Sequence, residues 1–196
     1  MTEPKDTKEK IQIVAFSTND TQQTPNDIIN IFLGQQNHKI LKKSKFAIAF
    51  STNLKGQTKE TRIMVCSVLN LTKEYQGITD VNCYLLFIDL EKKDSIDKVR
   101  DIINYAKDFC AWAKKIFVLG MLSGNEEEER QIEAKEITDI MDNIKAKYEY
   151  KEINISKMKE ISDILMDIFD YSSKHAINEE EEIEKDGDNA KSCLLF

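Results

Sequence analysis

Residues 10–174 predict an α/β domain: three layers, doubly wound around a mostly parallel six-stranded sheet. Three observations carry this expectation. Short apolar runs alternate along the chain with longer segments whose apolar residues recur at helical spacing. Residues 82–90 are apolar almost throughout, as a central parallel strand covered on both faces must be. Only one neighbouring pair of β-rich runs, 46–54 and 61–68, is joined by a turn-like segment, Lys55-Gly56-Gln57, so a single hairpin with one antiparallel edge strand is expected.

Taken in order, residues 11–16 read as a buried strand, and residues 26–34 as a helix closing near Gly34. The hairpin and the central strand follow. Asp94 or Ser95 then caps a helix whose apolar face is Ile96, Val99, Ile102, Ile103 and Ala106. Residues 115–120 form another buried strand. Residues 133–147 form a helix with Ile137, Ile140, Met141 and Ile144 on one side. Residues 148–155 give a last strand, and 157–171 a last helix with Ile161, Ile164, Leu165 and Ile168 inward. Residues 1–9 read as a flexible N-terminus and 175–196 as an acidic disordered tail.

Composition narrows the functional classes. The chain has 196 residues, 41% of them hydrophobic, ordinary for one soluble domain with a real core. No apolar run reaches the ~18 residues of a membrane span, and the polar N-terminus has no secretory signal. Thr2 stands where N-myristoylation requires glycine. Cys66, Cys83, Cys110 and Cys193 lack CxxC spacing, and the first three read as buried reduced thiols. His38 and His175 are far apart, so neither a zinc site nor a nucleophile–base pair emerges. The net charge is −7, of which residues 179–191 carry seven acids against Lys185 and Lys191. That balance argues against a nucleic-acid partner, which needs a basic face.

The last four residues, Cys193-Leu194-Leu195-Phe196, have the form of a C-a-a-X prenylation signal. The cysteine thiolate is the nucleophile that accepts the lipid, and a terminal Phe favours the geranylgeranyl group. The expected partners are therefore a prenyltransferase, a prenyl-binding carrier as a further candidate, and a membrane reached through the lipid. One lipid chain gives only reversible membrane binding, and neither a polybasic cluster nor a second cysteine stands nearby. The expected location is cytoplasmic, peripheral on the cytoplasmic membrane face.

The element order and the terminal signal together resemble the Ras superfamily of small GTPases, its Rab and Ras branches above all. The likeness is clearest from Val81 to Phe169: Asn82-Cys83-Tyr84-Leu85-Leu86-Phe87-Ile88-Asp89-Leu90 followed by Asp94-Ser95-Ile96, then Ile116-Phe117-Val118-Leu119-Gly120 followed by the charged 126–132. Upstream, Ile28-Ile29-Asn30-Ile31-Phe32-Leu33-Gly34 matches in pattern. The resemblance implies a small-GTPase-like, P-loop NTPase-like fold.

It also implies that the nucleotide chemistry is gone. The family wraps phosphates with G-x-x-x-x-G-K-[ST], whose glycines let backbone N–H groups approach and whose lysine neutralises charge. The corresponding 17–27 (Ser-Thr-Asn-Asp-Thr-Gln-Gln-Thr-Pro-Asn-Asp) has no glycine and no lysine, Pro25 lacks an N–H, and Asp20 and Asp27 repel phosphate. Thr21 and Thr24 keep hydroxyls that serve better as caps. At the family's magnesium motif, D-x-x-G, stands Val68-Leu69-Asn70-Leu71, with Thr72 in place of the water-orienting glutamine. At its guanine-selecting N-K-x-D stands Met121-Leu122-Ser123-Gly124, and at S-A-K stands Asn154-Ile155-Ser156. The implied protein is a catalytically inactive scaffold or interaction module that needs no cofactor. The alternative is a divergent switch that still binds GTP or GDP with Mg²⁺. Residues 38–44 and 70–77 correspond to the family's switch segments. Their apolar Ile40, Leu41, Leu69, Leu71 and Tyr75 either form a docking patch for a protein partner or fill the empty nucleotide site.

Overall fold

The computed structural model of the chain describes residues 10–19, 23–35, 38–43, 47–54, 57–67, 81–109, 115–124, 129–144 and 147–175. Within them lie seven strands and four helices: β1 (Lys10–Ser17), α1 (Gln23–Gln35), β2 (Lys39–Lys43), β3 (Ala47–Leu54), β4 (Gln57–Ser67), β5 (Cys83–Asp89), α2 (Ser95–Phe109), β6 (Ile116–Leu122), α3 (Ala134–Asn143), β7 (Tyr148–Asn154) and α4 (Met158–Lys174). One mixed sheet has the order β2-β3-β4-β1-β5-β6-β7. β1 pairs in parallel with both β4 and β5, and β5-β6 and β6-β7 are parallel too. The β2-β3 and β3-β4 pairings are antiparallel, so β3 alone runs against the rest.

Strand periodicity explains why the central runs read as continuously apolar. Along β5, Cys83, Leu85 and Phe87 enter one core while Tyr84, Leu86 and Ile88 enter the other. β1 does the same with Ile11, Ile13 and Ala15 against Val14 and Phe16. The first core is closed by α1 through Ile28, Ile29 and Phe32, and by α4 through Ile161, Leu165, Ile168 and Phe169. The second is closed by α2 through Val99, Ile102 and Ile103, and by α3 through Ile137 and Met141. Each such side chain contributes about 1.5–3 kcal/mol on burial.

Several expectations need correction. The sheet has seven strands instead of six, because Lys39–Lys43, expected as loop, is strand β2; it is mixed in that β3 runs against the other six. β2 occupies the edge, so the antiparallel strand β3 is internal. α1 begins at Gln23 instead of 26: Pro25 falls in its first turn, where a missing N–H interrupts no helical bond. β4 begins at Gln57 instead of 61 because the antiparallel ladder with β3 extends to the Leu54–Gln57 pair. α3 ends at Asn143 instead of 147, since the Lys147 carbonyl already accepts the Ile116 N–H at 2.9 Å at the start of the β6-β7 ladder. Of the expected terminal segments 1–9 and 175–196, His175 is instead the C-cap of α4, and residues 1–9 and 176–196 lie outside the described residues.

Asn82 ties the lower end of the sheet together. Its N–H donates to the Gln12 carbonyl at 2.8 Å, and its Oδ1 accepts the Gln12 N–H at 2.6 Å. Its Nδ2 donates to the His175 carbonyl at 3.1 Å, fixing the end of α4 beside the starts of β1 and β5. Cys83 is a buried free thiol, as expected, and burial above all pushes it up to about 12.

His38 stacks on Phe32 at 4.7 Å and lies 5.5 Å from Phe50. The tautomer that satisfies the Ser51 carbonyl, 3.3 Å away, carries its proton on Nδ1. Nε2 is then buried with no hydrogen-bond partner among the described residues. Desolvation holds this imidazole below its ordinary value, against the opposing Ser51 hydrogen bond. The unfolded chain therefore takes up the proton more readily than the folded one. Stability should be full above the unfolded value of 6.5 and fall as pH drops from there through the lower folded value. Urea midpoints between pH 7.5 and 5 should show this fall, and His38→Phe should flatten it.

Candidate functional site

The connections from β1 and β5 leave on opposite faces of the sheet: β1 leads to α1 on the first core, β5 to α2 on the second. In a doubly wound sheet such a switch point opens a crevice beyond the carboxyl ends of the strands, where ligands bind. A cleft of about 380 Å³ lies there, lined from the ends of β1, β5, β6 and β7.

Its floor is built from the chain turns just past the strands. Thr18 is buried, its N–H donating to the Phe87 carbonyl at 3.0 Å. The Thr18 hydroxyl donates to Ser95 Oγ at 3.1 Å and accepts the Asp89 N–H at 3.0 Å. The β1 exit is thus fastened to both β5 and the start of α2. Residues 18–22 separate β1 from α1 and contain neither glycine nor lysine. Of the expected cap hydroxyls, Thr21 lies outside the described residues, and the Thr24 side chain is not among those described.

The walls are acidic. Asp89 accepts the Glu91 N–H and pairs with Lys92, both at 3.1 Å. Glu91 Oε1 accepts both the N–H and the hydroxyl of Ser123 at 2.9 Å, joining the ends of β5 and β6. Glu129 adds a third carboxylate, so three carboxylates face one ammonium, that of Lys92, which Asp89 already engages. Asn19, Gln131 and the apolar Met121 and Ile155 complete the lining. Among the described residues no group of three or more His, Cys, Asp or Glu could hold a metal ion.

The segment behind Glu129 is clamped. Leu90 donates its N–H to the Met121 carbonyl at 3.0 Å and accepts the N–H groups of Gln131 and Ile132 at 2.8 and 3.1 Å. Arg130 makes a two-pronged contact with Glu152 at 3.0 and 2.7 Å, and its Nε donates to the Ile132 carbonyl at 2.7 Å. The hydrogen bond from Arg130 holds Glu152 below the usual carboxylate range. Burial, then the bond to Glu152, pushes the Tyr150 phenol well up. Arg130→Met should lower stability by about 1–2 kcal/mol, because a charge-assisted fork is lost at a partly screened site. Amide exchange at Gln131 and Ile132 should quicken with it.

The two positions expected at the base-selecting motifs meet in space. Gly124 takes φ 78°, a left-handed turn that favours glycine. A Cβ there would come within 2.5 Å of Asn154 Oδ1 and 2.8 Å of Ser156 Oγ. Asn154 Oδ1 in turn accepts the Ser156 N–H and hydroxyl at 2.9 and 2.6 Å. Ser123 spends its donors on Glu91, so this corner offers no carboxylate positioned as the guanine motif requires.

The remaining expected site residues lie elsewhere. Ile40 and Leu41 are 50% and 46% exposed on edge strand β2, so they do not fill the cleft. Leu69, Leu71 and Tyr75, the 68–72 segment, and Cys193, Leu194, Leu195 and Phe196 lie outside the described residues. The cleft carboxylates Asp89, Glu91 and Glu129 were not anticipated from the sequence. The signal was present: Asp89-Leu90-Glu91 directly follows the most apolar strand, at the end where an α/β sheet binds ligands.

No protein-family model matches the chain, and no curated protein matches it. No helix among the described residues is long and apolar enough to cross a membrane.

Proposed function

We propose that this chain is a small-GTPase-like interaction or scaffold protein that does not turn over nucleotide, with a P-loop NTPase-like fold, geranylgeranylated at Cys193 and reversibly associated with a membrane or an assembly. The observation that carries the reading is the acidity of the switch-point cleft. A phosphate oxygen about 4 Å from any one carboxylate there meets a repulsion of about 1–4 kcal/mol. Asp89, Glu91 and Glu129 supply three such carboxylates. The five residues between β1 and α1 offer neither glycine nor lysine to offset them. With turnover lost, function moves to surfaces and to the lipid. Protein partners, a prenyltransferase and a prenyl carrier are the interactions this reading requires, on the cytoplasmic face of a membrane.

Intact mass of the chain expressed in a cell with a prenylation pathway tests the lipid half. A geranylgeranyl adduct that disappears in Cys193→Ser, together with loss of membrane partition, supports it. An unmodified mass in the native chain refutes that half.

One observation favours a second reading, a divergent GTP- or GDP-binding switch with Mg²⁺. The cleft is open, and its volume of about 380 Å³ falls in the ~300–1,000 Å³ range of small-molecule sites. Nucleotide content of the native protein separates the two readings.

A further inference from the structure

Among the described residues three large hydrophobic side chains are exposed, and two of them, Ile40 and Leu41, are neighbours on the edge strand β2. Lys39, Lys42 and Lys43 flank them, and the exposed Arg62 shares a cross-strand row with Ala49 and Lys42. The acid of this strip is Glu60, in the row of Lys39 and Ser51. The like charges, with the bulge between Ile40 and Lys42, disfavour pairing of this edge with the same edge of a second copy. The surface that suits it is apolar and acidic.

The other half of the molecule presents such a surface. α2 and α3 border a groove of about 480 Å³, lined by Ile96, Ile103, Ile140 and Ile144. Ile96, Ile140 and Ile144 are only partly buried. Glu136 and Asp139 of α3 stand along the groove, and the cation of its lining, Arg100, is already paired to Asp97 at 2.7 Å. Among the described residues no cation lies within salt-bridge distance of Glu136 or Asp139, and no carboxylate within that distance of Lys39, Lys42 or Lys43. We infer that β2 of one molecule docks in the α2–α3 groove of a second copy, with Ile40 and Leu41 against the groove isoleucines and Lys39 and Lys42 against Glu136 and Asp139.

The contact forms between molecules because one molecule cannot make it alone. α2 and α3 close the second core over β5 and β6. β2 lies four strand spacings from β5, about 19 Å, and its ladder with β3 holds it there. The chain's own acidic residues 179–182 do not suit this groove, since Glu136 and Asp139 repel them. Edge and groove are different surfaces, so the association is head-to-tail: each copy keeps one of each free, and growth continues until a ring closes. A five-residue strand makes a small contact, at the weak end of interfaces, below ~1,200 Å². The contact goes beyond the proposed function, and only its consequence rests on that reading. One lipid chain holds a monomer reversibly, whereas an array of copies adds the anchors of several.

The test uses the full chain made without a prenylation pathway, so that lipid contributes nothing. Sedimentation velocity between about 1 μM and 1 mM should show the native chain associating as concentration rises. Leu41→Glu on the edge and Asp139→Arg at the groove both change exposed residues, and each should weaken association about tenfold or more. Lys42→Glu repeats the edge test by charge alone. Mixed in equal amounts, Leu41→Glu and Asp139→Arg should form a dimer that grows no further, because each copy keeps one intact surface. A native chain that stays monomeric throughout would overturn the inference. So would association that survives Asp139→Arg, since β2 would then meet another surface. A mixture that stays monomeric, while both variants keep the native far-UV circular dichroism, would overturn it too. Neither nucleotide content nor the fate of Cys193 enters these measurements, so the two proposals fail separately.

Discussion

Replacing Phe169 with alanine should lower the unfolding free energy by about 3–5 kcal/mol. Phe169 is fully buried on α4 and touches two further rings, Phe32 of α1 at 5.1 Å edge-on and Phe50 of β3 at 5.8 Å. Those rings close on each other at 6.2 Å, so one side chain couples two helices to the sheet. Truncation removes apolar burial, the favourable edge-to-face pairs and the filling of the space between α1 and α4. His38 stacks on the same Phe32, so the loss should also loosen the approach to β2. A domain stabilised by about 5–15 kcal/mol would lose a large share of its margin. Chemical denaturation measures it. A loss below about 1 kcal/mol would mean that α4 is not seated as described.

Gly120→Val should cost about 2–3 kcal/mol, by overpacking at a buried strand position. A Cβ at Gly120 would stand 2.7 Å from the Tyr150 hydroxyl oxygen and 2.9 Å from Leu90 Cδ1. Both neighbours matter to the cleft. The Tyr150 hydroxyl donates to Glu152 at 2.9 Å, and Glu152 anchors Arg130. Leu90 holds Gln131 and Ile132 through its carbonyl. The damage should therefore spread to residues 129–132 and appear as faster exchange there. Combining Gly120→Ala with Tyr150→Phe should recover part of the single-variant loss, because the closest atom is removed. Strict additivity of the two changes would contradict this packing.

How legible this molecule was in its sequence follows from what each element buries. β5 and β6 were plain because both faces are covered, and seven nearly continuous apolar residues admit few other readings. The β3-β4 hairpin showed through Lys55-Gly56-Gln57, although its pairing reaches closer to the turn than apolarity suggested. β2 was hidden for the opposite reason. Nothing on Lys39-Ile40-Leu41-Lys42-Lys43 is buried, so no periodicity marks it, and lysine is what an edge strand carries. The early start of α1 was masked by Pro25, which reads as a breaker but is tolerated in a first turn.

The candidate site was legible only in the negative. The missing glycines and lysine after β1 were visible at once, whereas the acids of the cleft went unread, Asp89 and Glu91 although their signal was present. Asp89 and Glu91 stand together at the end of β5, but Glu129 is distant in sequence and joins them only because the 129–132 segment is held to Leu90. Likewise the contact of Gly124 with Asn154 and Ser156 depends on β6 and β7 being neighbours in the sheet.

Nucleotide content of the natively purified protein tests the central claim most directly. The protein is denatured, the supernatant is resolved by ion exchange, and the intact protein is titrated with fluorescent GTP in the presence of Mg²⁺. An empty cleft with no saturable binding is the predicted result, and it would direct attention to partners of the β2 edge and to the fate of Cys193. Near-stoichiometric GDP or GTP would contradict it, and would mean that the segment from Ser17 to α1 holds phosphate without glycine or lysine.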